Sequence, residues 1–354
     1  MAARYLSLAS ELRIRCVQMR RDGLSKLPGE LALCEETGYS RQTVRHALKV
    51  LEQEGLVVRI HGSGTYLSED ISLKSGRIAV LVPSSETYLY PQLLRDIESV
   101  CNEAGYQMQV CVTDGLVARE HDVLAELLAD PPDGLLVEGA KTALPSPNLN
   151  LFEEFGRRGI PFVWLHAPLP VPVSAPCFRE DGEGGSRLLV RYLLDKGHTR
   201  IAGIFKSDDR QGQERYLGFV SELLHSGLPL HEENILWFDT EDAASLMADT
   251  DTWLERFVCT SLSPCTAVVC HNDEIAWALI RCLRRLRLRV PNDVAVVSFD
   301  NSHLCMLCSV PITSLGHGQR RLGTEAAEGL IRMLRGKKSS GARLEWTLYE
   351  RRSG

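Results

Sequence analysis

The segment Ser40-Arg41-Gln42-Thr43-Val44-Arg45-His46-Ala47-Leu48-Lys49-Val50-Leu51, closed by Gly55, carries two helical stripes at once. Val44, Leu48 and Leu51 recur at i, i+4 and i+7 and turn one face inward, while Arg41, Arg45 and Lys49 line the opposite face. Ser40 reads as the N-cap, because its hydroxyl can accept from an amide left unpaired in the first turn, and Gly55 stops the helix. Working outward, Leu8, Leu12, Cys16 and Met19 fall on one face of an earlier helix that ends near Gly23. Pro28 opens a second helix through Leu31, Leu33 and Cys34, which Gly38 closes. Downstream, Leu56–Ile60 and Thr65–Ser68 read as short strands joined by His61-Gly62-Ser63-Gly64.

Three helices followed by a hairpin predict a winged helix-turn-helix over residues 1–70. Such a fold sets the first turn of its second motif helix against base edges in the major groove of DNA. Arginine offers paired donors that match the two acceptors of guanine, and Gln42 suits adenine. Arg59 and His61, beside glycines that let the backbone approach a phosphate, suit a wing at the minor groove or the DNA backbone. Residues 1–70 hold 10 Lys and Arg against 9 Asp and Glu, so bulk charge does not decide the reading. Taken singly, Arg41 and Arg45 would be solvated surface. The ordered set of turn, cap, basic stripe and glycine-rich wing decides it.

Length and charge bound the rest. At roughly 100–200 residues per domain, 354 residues predict two or three domains. With 40 basic and 46 acidic residues the formal charge is −6, which excludes a globally basic nucleic-acid coat. No run of about 18 apolar residues exists to span a bilayer, and the charged start Met1-Ala2-Ala3-Arg4-Tyr5-Leu6 lacks a secretory apolar stretch, so a cytoplasmic protein with no membrane partner is expected. Eleven cysteines do not form a disulfide framework on this reading. Cys16, Cys101, Cys259 and Cys282 sit in apolar periodic stretches as small buried hydrophobes. Cys305-Met-Leu-Cys308 lacks a second pair or histidines at zinc spacing, so no metal is expected.

Residues 71–76 read as a linker, and from Arg77 short apolar runs alternate with helical segments. Ile78–Val82, Met108–Val112, Leu135–Val137, Phe162–Leu165, Ile201–Ile204, Ala267–Val269 and Val294–Phe299 are the predicted strands, with helices such as Leu93–Glu103 between them. Continuous apolar strands interleaved with helices predict α/β architecture with doubly wound parallel sheets. Residues 77–354 are long for one such sheet, so two lobes are expected. Ligands of these folds lie beyond the carboxyl ends of the strands. There the chain places Ser84, Ser85, Glu86 and Tyr88, then Glu138, His166, Asp181, Lys206–Arg210, His271-Asn272-Asp273 and Asp300-Asn301. Carboxylates, amides and an arginine converging on a cleft suit a polyol, whose hydroxyls both donate and accept. Helix capping is an alternative role for Asp181, Asn272 and Asp273. The acids Glu86, Glu138, Asp181 and Asp273 favour a neutral sugar over a phosphate, and Trp164, His166 and Tyr88 are available to stack on its ring.

Leu27-Pro28-Gly29-Glu30, Ser40–Leu48, Leu51-Glu52-Gln53-Glu54-Gly55-Leu56-Val57 and His61-Gly62-Ser63-Gly64-Thr65-Tyr66 together resemble the GntR family of winged-helix transcription factors. That resemblance implies that Ser40, Arg41, Gln42, Thr43 and Arg45 lie at the DNA surface with His61 and Gly62 in the wing. Further along, Asp181-Gly182-Glu183-Gly184-Gly185, Lys196–Ala202, Glu214-Arg215-Tyr216-Leu217-Gly218-Phe219, His271–Ala276, Val290–Asp300 and Pro311–Leu315 resemble the effector domain of LacI-type repressors, which is built like periplasmic sugar-binding proteins. This second resemblance implies that Asp181, Arg215 and Asp273 point into the cleft, and His317 stands where the family often has glutamine. The combination is similar to arabinose-repressor-like regulators. It implies a homodimer that binds double-stranded operator DNA and answers to a small-molecule effector, without a cofactor or catalysis. Helix faces at Leu93/Leu94–Val100 and Ile275–Leu286 are candidates for the dimer contact by that likeness and equally for ordinary packing onto the sheet. The competing readings are a GntR-headed enzyme-like fusion and a sensor for a purine or sugar phosphate. No pyridoxal-type lysine motif and no phosphate-cradling glycine loop after a strand supports the enzyme, whereas cleft walls of this kind hold a sugar, a sugar phosphate or a purine on the same scaffold.

Overall fold

The inward stripe of Val44, Leu48 and Leu51 is buried together with Leu8, Leu12, Cys16, Leu33 and Val57. A computed structural model describes residues 2–21, 24–60, 63–68, 75–86, 88–247, 252–318 and 320–354. Its first compact unit, Met1–Arg77, holds helices α1 (Ala2–Arg21), α2 (Glu30–Thr37) and α3 (Arg41–Gln53), then an antiparallel hairpin of β1 (Val57–Ile60) and β2 (Gly64–Leu67). Ser40 is extended and its Oγ accepts from Thr43 N at 3.3 Å, which caps α3. The second helix begins at Glu30 rather than at Pro28, because Gly29 is still extended and stands as its N-cap. On this helix Leu33 is buried and Leu31 is exposed. Leu27 N donates to Thr65 O at 2.9 Å and Leu67 N to Ser25 O at 2.8 Å, so the segment before α2 meets the hairpin in a single antiparallel bridge at Lys26–Tyr66. The expected linker 71–76 lies outside the described residues except for Ser75 and Gly76.

The second unit, Ile78–Gly354, is the two-lobed body. The first lobe takes β3 (Arg77–Val82), α4 (Tyr90–Glu103), β4 (Gln107–Val112), α5 (Val117–Ala129), β5 (Gly134–Val137), α6 (Leu149–Arg157), β6 (Phe162–Leu165) and β7 (Cys177–Glu180). The chain then builds a second lobe from α7 (Gly182–Asp195), β8 (Ile201–Lys206), α8 (Arg210–His225), β9 (Ile235–Phe238), α9 (Thr240–Met247), α10 (Thr252–Thr260), β10 (Ala267–Cys270), α11 (Asp273–Arg285), β11 (Ala295–Phe299), α12 (Leu304–Leu307) and β12 (Thr313–Gly316). It returns to the first lobe for α13 (Leu322–Leu334) and β13 (Ala342–Leu344) and ends with β14 (Thr347–Tyr349) in the second sheet. The two six-stranded sheets run β13-β7-β6-β5-β3-β4 and β14-β12-β11-β10-β8-β9. The inner pairs of both are parallel, while β14 closes the second sheet antiparallel to β12.

Parallel strands covered by helices on both faces need apolar side chains throughout, and Ile78–Val82 are each no more than 1% exposed. β12 escaped that pattern. It is buried but contains Thr313 and Ser314, and Ser314 Oγ donates to the buried carboxylate of Asp273 at 2.7 Å. β9 and β7 are only partly buried, so their apolar signal is diluted. Trp164 belongs to the first-lobe core, packed against Phe152 and Phe162, and is not at the cleft. Leu93, Leu94 and Ile97 of α4 and Ile275, Leu279 and Leu283 of α11 also pack inward, the second of the two roles open to those faces. All 11 cysteines are free thiols, with Cys16, Cys101 and Cys282 buried and Cys259 exposed on α10, not buried as its setting suggested. Among the described residues no helix is long and apolar enough to cross a membrane, and no cluster of His, Cys, Asp and Glu could hold a metal ion.

Candidate functional site

In the head, a single carboxylate organises the basic face. Arg45 Nε donates to Glu30 Oε2 at 2.8 Å and Arg41 Nε to the same oxygen at 3.3 Å, while Arg59 Nη2 lies 3.8 Å from Glu30 Oε1. Partial burial pulls the Glu30 pKa upward, but Arg45, Arg41 and Arg59 outweigh it and hold the carboxyl below its ordinary range. Arg41 and Arg45 remain more than half exposed, so their free guanidinium edges stay open to a phosphate or a base. Gln42 is exposed beside them and Thr43 is half-buried, its hydroxyl 2.9 Å from Ser40 Oγ. Arg59 Nε and Nη2 are buried without a hydrogen-bond partner. His61 and Gly62, expected in the wing, lie outside the described residues. Glu30 belonged to a quoted motif but not to the expected site; its spacing from Arg41 and Arg45 becomes meaningful only when α2 and α3 pack.

The body holds a cavity of about 410 Å³ between its two lobes, within the range of small-molecule sites. Tyr88, Lys141, His166, Asp300 and Asn301 line it, and each adopts a left-handed backbone with φ between 46° and 95°. That conformation is costly for residues other than glycine and gathers at functional sites. All five follow strand ends: Tyr88 after β3, Lys141 after β5, His166 after β6, and the pair Asp300-Asn301 after β11.

On the first-lobe side, His166 stands between two carboxylates, with Nδ1 3.0 Å from Glu180 Oε2 and Nε2 3.5 Å from Glu138 Oε2. Burial alone would lower its pKa, but Glu180 and Glu138 outweigh burial and raise it to about 10, so the ring is an imidazolium at neutral pH. Glu180 is driven the other way: burial opposes ionisation, yet His166 brings it to about 2. Glu138 is raised by burial, and its Oε1 accepts from Tyr90 Oη at 3.1 Å. Gln211, from the second lobe, donates to Glu180 at 3.1 Å.

On the second-lobe side, Arg215 is almost fully buried. Its Nη2 donates to Asp300 Oδ1 at 3.0 Å, Nη1 donates to the His271 carbonyl, and the guanidinium lies 4.2 Å over the Phe299 ring. Tyr88 Oη reaches across from the first lobe and donates to Asp300 Oδ2 at 2.7 Å. Asn272 lines the cavity while its Oδ1 caps α11 by accepting from Ile275 N at 3.0 Å. His317 also lines it, stacked 3.9 Å from Trp346 with Nδ1 donating to the Glu345 carbonyl at 3.0 Å.

Asp273, Asp181 and Ser84, expected to bind the effector, do not line the cavity, and neither does Glu86. Asp273 is fully buried and spends its carboxylate inside the lobe, on Ser298 Oγ, Ser314 Oγ and Ser302 N at 2.6 Å. Burial and the nearby Asp300 charge raise its pKa to about 6 despite those donors. Asp181 caps α7 through Gly184 N at 2.9 Å and pairs with Arg343. Ser84 turns back to its own loop, accepting from Glu86 N at 3.3 Å, and Glu86 is exposed. Their place is taken by Asp300, Glu180, Asp209 and Lys206. Asp300 and Lys206 were visible past strand ends, whereas Glu180 ends a strand whose apolar signal was too weak to read. The expected acidic bias also gives way. Lys141, Lys206, Arg215, Arg320, Arg321 and charged His166 balance Asp96, Glu138, Glu180, Asp209, Glu274 and Asp300, six against six. Around this cavity Glu138 Oε2, Arg215 Nε and His271 Nδ1 are buried without a hydrogen-bond partner.

Residues 4–67 match the model of bacterial regulatory proteins of the gntR family, and residues 190–354 match that of the periplasmic binding protein-like domain. The chain is similar to the arabinose metabolism transcriptional repressor of Geobacillus stearothermophilus, with 33% identity over 339 residues covering 94% of this chain and 91% of that protein. It is also similar to the HTH-type transcriptional repressor PurR of Vibrio vulnificus, with 30% identity over 272 residues, 74% of this chain and 75% of that one. Among solved structures, the complex of transcriptional regulator CelR with cellobiose shares the fold at a TM-score of 0.69 and 24% identity, covering 89% of this chain and 90% of that one.

Proposed function

This chain belongs to the family of the arabinose metabolism transcriptional repressors, and from that premise we propose how its ligand-responsive repression works. The head holds operator DNA with α3 in the major groove, through Ser40, Arg41, Gln42, Thr43 and Arg45, while Arg59, His61 and Gly62 serve the wing. Glu30 keeps the three arginines splayed toward the duplex. The body takes a small neutral sugar between Tyr88, Glu138, His166, Arg215, Asn272 and His317, with Asp300, Glu180 and His271 completing the wall. Sugar binding releases the operator. The protein works in the cytoplasm as a regulator without catalysis or a cofactor.

One observation carries the effector reading: Tyr88, Lys141, His166, Asp300 and Asn301, all with left-handed backbone, follow strand ends around one cavity of about 410 Å³. Backbone held in that region costs about 1–3 kcal/mol per residue and gathers at ligand clamps, and hydroxyls that donate and accept suit the polar side chains of this wall. The balance of six cationic and six anionic side chains favours a neutral ligand over a sugar phosphate. Two heads reading a two-fold operator call for a homodimer. Met306 and Leu307 of α12, 65% and 72% exposed beside α11, support that surface as the contact with a second copy. Replacing both by aspartate should leave a monomer in sedimentation.

The test is a thermal-shift screen against pentoses, hexoses, disaccharides, sugar phosphates and purines, followed by operator binding with each hit. A ligand at 100 times its Kd adds about 2.7 kcal/mol to the native state. A neutral sugar that both stabilises the protein and weakens operator binding is expected. Stabilisation by a purine or a sugar phosphate alone would overturn the sugar assignment.

A further inference from the structure

Consecutive residues of the loop between β5 and α6 each meet the second lobe. Lys141 Nζ donates to Glu241 Oε1 at 2.6 Å, Thr142 Oγ1 accepts from Arg210 N at 3.0 Å, and Ala143 N donates to the Asp208 carbonyl at 3.2 Å. Lys141 holds φ 47°, a left-handed backbone that a lysine keeps only where its surroundings impose it. The support comes from behind the loop. Glu120 of α5 is fully buried and is not part of the cavity wall. Its Oε2 accepts at 2.7 Å from Ala140 N, the amide just before Lys141. Its Oε1 accepts at 2.9 Å from Asn148 Nδ2, which also donates to the Val117 carbonyl at 2.9 Å. Asn148 is 1% exposed and stands at the N-cap position of α6, where the loop ends.

One carboxylate therefore grips the loop at two points, the left-handed turn and the start of the next helix. Burying a carboxyl group is costly, and an apolar side chain of similar size would fill the same space at less expense. The acid is accounted for by the two amides it receives. We propose that Glu120 is a positioning residue for closure of the body: by holding Ala140 N and Asn148 it presents Lys141, Thr142 and Ala143 to the second lobe, without itself meeting a ligand. The inference stands apart from the sugar reading, because the contacts it concerns are between the lobes and are present without any ligand.

The reporter is the Arg210 amide, which belongs to the second lobe while its acceptor, Thr142 Oγ1, belongs to the first. Hydrogen exchange of the full-length protein, with no ligand added, is read by mass spectrometry at single-amide resolution in wild type, E120Q, E120D, N148A, T142A and E120D/T142A. E120Q keeps an oxygen for Ala140 N and should stay within about twofold of wild type. E120D falls short of that amide and should speed exchange at Ala140, Ala143 and Arg210 roughly tenfold. N148A removes the other grip and leaves the acid in place; it should speed the same three amides by a smaller factor and carries the test should E120D fail to fold. Unchanged protection of Ala267–Cys270, in the second-lobe core, reports that each protein is folded. T142A breaks the reporter contact directly, so E120D/T142A should match T142A at Arg210. A rise confined to Ala140 would mean that Glu120 shapes only its own lobe and would overturn the proposal. So would unchanged exchange at all three amides in E120D, or faster exchange at Arg210 in E120D/T142A than in T142A.

Discussion

Truncating Arg215 to alanine removes the charge on which the second-lobe wall is built. The guanidinium is 3% exposed and its partner Asp300 11%, with Nη2 and Oδ1 3.0 Å apart. Removing one member of such a pair leaves the other buried and charged, at a cost of about 3–5 kcal/mol. Tyr88 Oη still donates to Asp300 at 2.7 Å, and that hydrogen bond keeps the loss toward the lower end. Asp300→Asn leaves Arg215 bonded to the His271 carbonyl and should cost less. The double variant R215M/D300N keeps much of the stacking on Phe299 and removes both charges together. Its loss should fall short of the sum of R215M and D300N by at least about 2 kcal/mol, because contacting residues are not additive. Urea unfolding followed by tryptophan fluorescence reads this cleanly, since all five tryptophans, Trp164, Trp237, Trp253, Trp277 and Trp346, lie in Ile78–Gly354. A loss under about 1 kcal/mol in R215A, or additivity of the pair within about 0.5 kcal/mol, would refute the buried ion pair as an organiser of this wall.

Three further outcomes follow from the same structure. Arg45→Ala should cost about 1–3 kcal/mol of operator binding if its guanidinium reads a base, with the tryptophan-detected unfolding unchanged; wild-type operator affinity would remove Arg45 from the interface. Leu48→Ala opens a hole in the head core, where Leu48 is 1% exposed; it should cost about 2–5 kcal/mol and abolish operator binding while sugar titrations stay as in wild type. His166 is raised to about 10 from an ordinary 6.5, so its contribution is full below about pH 6.5 and is lost as pH rises through 10. Between pH 7 and 10 the body should therefore lose stability at up to about 1.4 kcal/mol per pH unit, and H166Q should flatten that slope. An unchanged slope in the variant would assign it to other groups.

The head was largely readable because its signals are local. Ser40 as cap, the stripe Val44/Leu48/Leu51 and the stop at Gly55 each depend on residues within a few positions. The body was readable wherever burial on both sheet faces forced an apolar run, as in Ile78–Val82. It was opaque where buried polar groups satisfy one another, as Ser314 and Ser298 do with Asp273. That internal network also explains why Asp273, adjacent to a cavity residue in sequence, turns away from the cavity. A carboxylate with three donors around it is settled in its own lobe, whereas Asp300, at φ 95° with donors from both lobes, is at the cavity. Glu180 and Gln211 were missed for a different reason. Their meaning comes from His166, which they reach from other elements of the fold, and no spacing in the chain encodes that meeting.

Switching and recognition draw on different parts of the body. The lobes touch directly through Tyr88–Asp300 at 2.7 Å, Lys141–Glu241 at 2.6 Å, Arg179–Glu214 at 2.8 Å and Arg210 N–Thr142 Oγ1 at 3.0 Å. The last three involve no residue assigned to the sugar and hold the lobes together by an amount independent of what is bound. A ligand changes the equilibrium only by its differential affinity for the two states, and a hundredfold loss of operator affinity needs about 2.7 kcal/mol. Two hydrogen bonds from a ligand to ionised side chains of the wall, at about 1.5–3 kcal/mol each, can supply that difference. Lys141 is the place to separate the two roles, because its ammonium pairs across the lobes with Glu241. Lys141→Ala should weaken every sugar by the same factor, since it lowers the closed population rather than any one contact, and the ranking among sugars should not change. A change in that ranking would mean that Lys141 touches the ligand and that closure and recognition share this residue.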